Sequence, residues 1–359
     1  MRRSHCKQHG VIGLVAALAL ALAGCGGDPG PAAISSQITA GVSAAPAALQ
    51  ARSENAPVDP AIVAADNGFG LKLPNTLITE SPGNVAISSL SLSLALQILY
   101  NGAGGTTQQA MQATLEFGPL DIQQLNQDNA ALQASLLGAD PEVHLANAVY
   151  FKGIWTTPFN PAQTLASRFT LTGGSQVSVP MMWQTGPFDY FQGAQGGTAF
   201  QAIRIPYGQG RMSMLIALPA AGTNVASFAA SIDAATLTGW KAQFRSTTVT
   251  LGLPRFTASY QASLAGALTS LGMGMAFGTG ADFSGIASGA TVSDVFHATK
   301  IEVDESGTVA AGATAISIAT SVVQATPTMV MDHPFFYAIQ DDGTGELLFV
   351  GVMLNPAPT

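Results

Sequence analysis

Few residues in this chain have the type and spacing to do chemistry. Cys6 and Cys25 are the two cysteines, both near the N-terminus. His5 and His9 flank Cys6, whereas His144, His297 and His333 stand far from one another and from any cysteine. No metal-ligating spacing results. The chain has no G-x-S-x-G nucleophile elbow and no G-x-x-x-x-G-K-[ST] phosphate loop. GADFSG holds Asp282 and Ser284, but a catalytic serine needs a positioned base, and none is identifiable. The expectation is a protein that is not an enzyme and uses no metal or cofactor. Two features remain. One is the Cys25 thiol at the end of LAGC. The other is ESGTVAAGATAISIATSVV, Glu305 to Val323, which opens with an acid and a glycine and continues through small uncharged residues to a β-branched end. It reads half as a loop and half as a buried strand.

Residues 1–24 begin with basic MRRSHCKQH and continue into VIGLVAALALALA, an apolar run of signal-peptide length. The run is too short and wrongly flanked for a spanning helix. Leu22 to Cys25 resembles a bacterial lipoprotein processing box, which implies cleavage before Cys25 and acylation of its thiol and amine. Two or more acyl chains give a stable anchor. No cysteine then remains for a disulfide, so the exported domain depends on its core. Residues 25–57 hold Pro, Gly, Ala and Ser without periodicity and read as a flexible tether. Residues 58–359 are long enough for one large domain. The formal charge is −8, and the leader takes Arg2, Arg3 and Lys7 with it. So acidic a chain is a poor candidate for nucleic acid.

Within the domain, helical spacing comes first. AIVAADNGFGLKLPNTLI is partly helical, Ser91 is a plausible cap for a helix over Leu92–Tyr100 stopped by Gly102, and Thr106 or Thr107 can cap a helix through Leu115. Leucine spacing is helical again from Gln123 to Leu137. VHLANAVYF, QAIRIPY, MSMLIALP, TTVTLGLPRF, TKIEV and LLFVGVML then read as strands, and ASLAGALTSLG as a helix ended by Gly272. Helices first and strands later, without βαβ alternation, points to α+β with antiparallel sheets.

The motifs, taken together, resemble those of the serpins, the serine-protease-inhibitor superfamily. NVAISSLSLSLALQILYNGAGGTT is similar to the family's second-helix segment, and NAVYFKGIWTTPFNPAQTLASRF to the strand in the middle of its main sheet. VPMMWQTGPFDYF, AIRIPYGQGRMSMLIALP, VTLGLPRF, LTSLGMGMAF, ADFSGI, VFHATKIEVDESGT and DHPFFYAI follow in family order. The resemblance implies a serpin-like fold, helices packed on antiparallel and mixed sheets, with an exposed reactive loop. It places Glu305, Gly307, Thr308, Ala310, Ala311, Gly312 and Ala313 on the loop's hinge. A protease cleaves such a loop, and the freed segment enters the main sheet as a new strand, dragging the acylated protease along. Counting from Glu305 puts the scissile bond at Ser321–Val322, with Thr320 as its neighbour. Small residues there suit an elastase-like or subtilisin-like serine protease with a small primary pocket. No Lys or Arg follows Lys300, which argues against a trypsin-like target. The resemblance further implies that Ser88, Ser91, Asn147 and His297 control opening of the main sheet and that Trp155 marks where the loop first enters.

Composition agrees with such a role. Thr308, Ala310, Gly312, Thr314, Ile316 and Ile318 would share one face of a strand, and none is charged. Insertion would therefore bury no ion. Net gains of about 0.5–1.5 kcal/mol per new hydrogen bond add up to on the order of 10 kcal/mol, so the uncut state must be held kinetically.

One departure from the family is large. LANA runs directly into VYFKGIW, as if the start of one main-sheet strand were fused to the end of another. The intervening strands and the helix that lies across the sheet are missing near Asn147, and the main sheet should be shortened. The central strand would then become an edge strand. The expectation is a monomeric inhibitor tied to the cell envelope, on the outer membrane, through its lipid alone. The alternative is a non-inhibitory serpin-like binding or structural lipoprotein that lost the trap with the deleted segment.

Overall fold

Helices occupy the N-terminal part of the domain, as the leucine spacing requires. They are α1 (Pro60–Glu80), α2 (Ser89–Gly102), α3 (Gly105–Thr114) and α4 (Ile122–Leu137). The computed structural model describes residues 19–22, 58–80, 83–118, 120–137, 144–146, 150–306 and 326–357. Outside the described residues lie the linker 25–57 with Cys25, then Asn147, Gly307, Thr308, Ala310, Ala311, Gly312, Ala313, Thr320, Ser321 and Val322.

Two caps differ from expectation. Helix α2 starts at Ser89, with Ser88 in the cap position, and Ser91 lies buried in its first turn. Leu90, Leu92 and Leu96 all enter the core, so packing draws the helix start back toward the preceding strand. Helix α3 is capped by Gly104 without a side-chain bond. The Thr107 hydroxyl instead accepts the Asp282 amide at 2.9 Å.

The strands in chain order are β1 (Ala19–Leu22), β2 (Val85–Ile87), β3 (His144–Ala146), β4 (Tyr150–Lys152), β5 (Leu165–Thr170), β6 (Gln176–Gln195) and β7 (Thr198–Tyr207). After them come β8 (Met212–Pro219), β9 (Arg245–Pro254), β10 (Phe256–Ser263), β11 (Val292–Val303), β12 (Thr328–Val330), β13 (Phe335–Asp341) and β14 (Leu347–Met353). Between β8 and β9 lie α5 (Val225–Ala230) and α6 (Ala234–Lys241). Between β10 and β11 lie the single turns α7 (Ala265–Leu268) and α8 (Gly274–Phe277). Gly272, at φ 113°, does not end the helix there; it kinks the chain, which resumes in α8.

Among the described residues the strands form two sheets, so the fold is α+β. The larger runs β12-β9-β6-β7-β8-β13-β14-β2, with β5 also on β6. The smaller runs β1-β11-β4-β3, with β10 on the other side of β11. VHLANAVYF is not one fused strand. It divides into β3 and β4, which pair antiparallel, with Leu145 opposite Phe151. The correction extends to the edge: β3 covers β4, so β4 is not the exposed border of the sheet.

Strand β11 alternates cleanly. Val295, His297, Thr299, Ile301 and Val303 face the core. The opposite face carries Phe296, Ala298, Lys300 and Glu302, beside Ser263, Gln261, Ser259 and Thr257 of β10. Phe296 apart, this outer face suits water, as one-sided antiparallel sheets allow.

Candidate functional site

Residues 307–325 lie outside the described residues, but both of their flanks are tied down, the upstream one at the end of β11 in the smaller sheet and the downstream one at β12 in the larger. Downstream, β12 pairs parallel with β9, and the Thr250 amide donates to the Pro327 carbonyl at 2.9 Å. Upstream, β11 ends at Val303 and the next three residues are held firmly. The Trp155 Nε1–H donates to the Asp304 carbonyl at 2.8 Å, and the Phe159 amide to the Glu305 carbonyl at 2.8 Å. Asp304 Oδ1 accepts both the amide and the hydroxyl of Ser306.

Glu305, 6% exposed, points inward. Its Oε1 accepts the Thr164 hydroxyl at 2.6 Å and pairs with the Arg255 guanidinium. Burial alone would push this carboxyl up. The hydrogen bonds from Arg255 and Thr164 and the Arg255 charge outweigh burial and hold it below the usual carboxylate range. Glu305 is thus a buried peg that fixes the chain just beyond the end of β11.

Trp155 is buried beside it. Its ring stacks on Tyr207 with centroids 4.3 Å apart and planes within 12°, and meets Phe159 edge-on at 6.1 Å. Gly153 makes this packing possible: a Cβ there would stand 2.6 Å from the Tyr207 ring and 2.8 Å from that of Phe151.

Half-way down β11 sits the second group. The amide of buried Ser88, at the junction of β2 and α2, donates to His297 Nε2 at 3.1 Å. Burial lowers the His297 pKa to about 4, so the imidazole is neutral at pH 7, with its proton on Nδ1. The Ser88 hydroxyl is buried without a partner among the described residues. Ser91 is buried one helical step further on. Two residues above His297, the Thr299 hydroxyl donates to the Ala86 carbonyl at 2.6 Å. Strand β11 is therefore latched to β2 and the start of α2 by two polar bonds in an apolar setting.

The structure brings Ser88 and His297 together, and Trp155 and Glu305 together, at two levels of one strand. Sequence reasoning missed Thr164, Arg255, Phe159 and Thr299. A threonine two residues from His297 on a strand shares its face, which was a readable signal. The others come from remote segments.

Strands β11 and β4 pair in parallel, and among the described residues the pairs are Lys300–Tyr150 and Ile301–Phe151. Lower down, the same edge of β11 pairs antiparallel with β1, Ala19 opposite Phe296 and Leu22 opposite Val292.

A family model described as serpin (serine protease inhibitor) matches residues 64–146 and 133–356. The chain belongs to the serpin family. The two matches overlap over 133–146, the segment that holds β3. Human neuroserpin is 32% identical over 218 residues, covering 59% of this chain and 53% of that protein. An uncharacterised serpin-like protein of Thermococcus kodakarensis is 37% identical over 239 residues, 64% of this chain and 54% of its own. Plasminogen activator inhibitor 1 of Neovison vison is 36% identical over 223 residues, covering 59% and 54%. The chain thus spans about half the length of the curated relatives it matches. Among solved structures, human thyroxine-binding globulin with its hormone superposes at a TM-score of 0.71 with 20% identity, covering 83% of this chain and 99% of that one. Protease nexin-1 with heparin gives 0.67 at 21%, covering 83% and 100%.

Proposed function

We propose that this chain is a lipid-anchored inhibitor of serine proteases with a small primary pocket, acting by cleavage of the 307–325 loop and its insertion beside β11. The observation that carries the reading is the root of the loop. Asp304, Glu305 and Ser306 are fixed by Trp155, Phe159, Thr164 and Arg255, directly above the parallel pairing of β11 with β4. A segment released at its far end would pivot on this root and enter between β11 and β4. It would run antiparallel to β11, the direction β1 already takes on that edge. Residues 19–22 fall within the leader, so lipoprotein processing before Cys25 would leave this edge free. The relatives named as plasminogen activator inhibitor 1 support the protease-directed reading.

The protein would reside on the cell envelope as a monomer, held by the acylated Cys25 and its tether 25–57. Ser321–Val322, or the bond after Thr320, is the bait. Mixing the processed protein with an elastase-like or subtilisin-like enzyme should give an SDS-resistant adduct, with the loop cut at that bond by mass spectrometry. Clean cleavage with full protease activity would instead establish the non-inhibitory alternative. That alternative draws on the strands and covering helix missing near Asn147.

A further inference from the structure

Three acids with no solvent exposure lie outside the loop root and the latch. Asp66 on α1, Asp341 at the end of β13 and Glu346 just before β14 are all fully buried. Asp341 is well satisfied. It receives Arg211 Nε at 2.6 Å and the amide and hydroxyl of Thr344 at 2.8 and 2.7 Å. Asp66 Oδ1 accepts the Ser93 hydroxyl from α2. Asp66 Oδ2 and both carboxyl oxygens of Glu346 have no partner among the described residues. An ionised carboxylate left so is costly, and two neighbouring ones more so; retaining protons removes the cost. A metal is no substitute, because among the described residues no group of three or more His, Cys, Asp or Glu side chains could hold one.

The surroundings tie three elements together. Asn67 donates to the Gly345 carbonyl at 2.9 Å and accepts the Leu347 amide at 2.8 Å. The Ser89 hydroxyl, one residue after the latch residue Ser88, donates to the Leu347 carbonyl at 2.5 Å. Helix α1, the first turns of α2 and the β13–β14 turn therefore meet at the acids.

We propose that Asp66 and Glu346 are a proton-operated clasp: protonated, the pair seats α1 and α2 on the β13–β14 turn, and loss of its protons loosens α2 and the Ser88 grip on β11. Burial pushes Asp66 up to about 7, against the pull of the Ser93 bond. Burial, then the Asp66 and Asp341 charges, push Glu346 well above the usual range. The other titratable groups on elements packed against α1 or adjoining the turn are Asp128 on α4, Lys241 on α6, Tyr100 on α2, Tyr337 on β13, and Asp342 with its partner Arg204. The two phenols are themselves pushed up by burial.

The folded state holds more protons at this pair than the unfolded chain does. Stability therefore falls as pH rises from the ordinary carboxylate value through about 7, and further as Glu346 ionises. His297 has the opposite sign below its unfolded value of 6.5, so the clasp is read cleanly above it. In the intact protein, the infrared carbonyl band of a protonated carboxylic acid should be present at about pH 6.5 and lose intensity as pH rises through about 7. Over the same range the thermal midpoint should fall, and the protection of the Ser88 amide against hydrogen exchange should drop about tenfold. Glu346→Gln and, separately, Asp66→Asn should remove most of that fall. A missing band in the wild type, or an equal fall in a folded variant, would overturn the clasp. A steady Ser88 amide would overturn its link to β11. None of these readouts depends on protease inhibition.

Discussion

Strand β11 is held at two levels, and the two are built differently. At its upper end, the carbonyls and the carboxylates of Asp304 and Glu305 are each met by a specific donor, and aromatic rings wall the site. Half-way down, one neutral imidazole takes one backbone amide, and the neighbouring Ser88 hydroxyl goes without a partner. A fully paired group in a dry setting is a fixed point, whereas a sparsely paired one can change partners at little cost. In the proposed insertion the upper site would serve as a pivot and the lower site as a latch, the division a segment needs if it is to swing and enter below its own root.

The difference can be broken at the pivot first. Trp155→Ala removes a fully buried ring and the donor to the Asp304 carbonyl. It should lower stability by about 3–5 kcal/mol, read as the urea midpoint, and speed proteolysis at Ser306 and beyond. A loss no larger than that of an exposed substitution would remove the pivot from the account.

The latch is sharpened by pH. The folded His297 binds a proton less readily than the unfolded one, so stability drops as pH falls from 6.5 toward about 4. At 1.36 kcal/mol per unit, the fall attributable to this group is about 3 kcal/mol. The clasp acids pull the other way over this range, so the wild-type curve should be shallow. His297→Gln keeps an acceptor but does not titrate, and its stability should rise as the medium is acidified over that interval. Parallel curves for the two proteins would mean that His297 is not the titrating latch.

Much of this was legible in the sequence, for physical reasons. Period-3.6 leucines marked α2 and α4, and apolar or alternating runs marked β7, β8, β9, β14 and the last five residues of β11. Glu305, Trp155, Ser88 and His297 stand in motifs specific enough to place them on one strand and its surroundings. The β3–β4 hairpin was not legible, because LANAVY has no Gly, Pro or Asn-Gly turn signal and its residues alternate as well as a single strand does. Nor were the partners of Glu305: Thr164 lies 141 residues away in the chain and Arg255 lies 50. The acid pair escaped as well, since Asp66 and Glu346 look like ordinary surface charges until the helices and the β13–β14 turn close over them.

The most direct measurement is the thermal midpoint of the processed protein before and after a single cut within residues 320–322. If the severed segment pivots on Glu305 and enters beside β11, the midpoint should rise sharply, by far more than any of the substitutions above shifts it. An unchanged or lower midpoint would mean that this shortened sheet does not accept its loop, and the inhibitory account would be wrong.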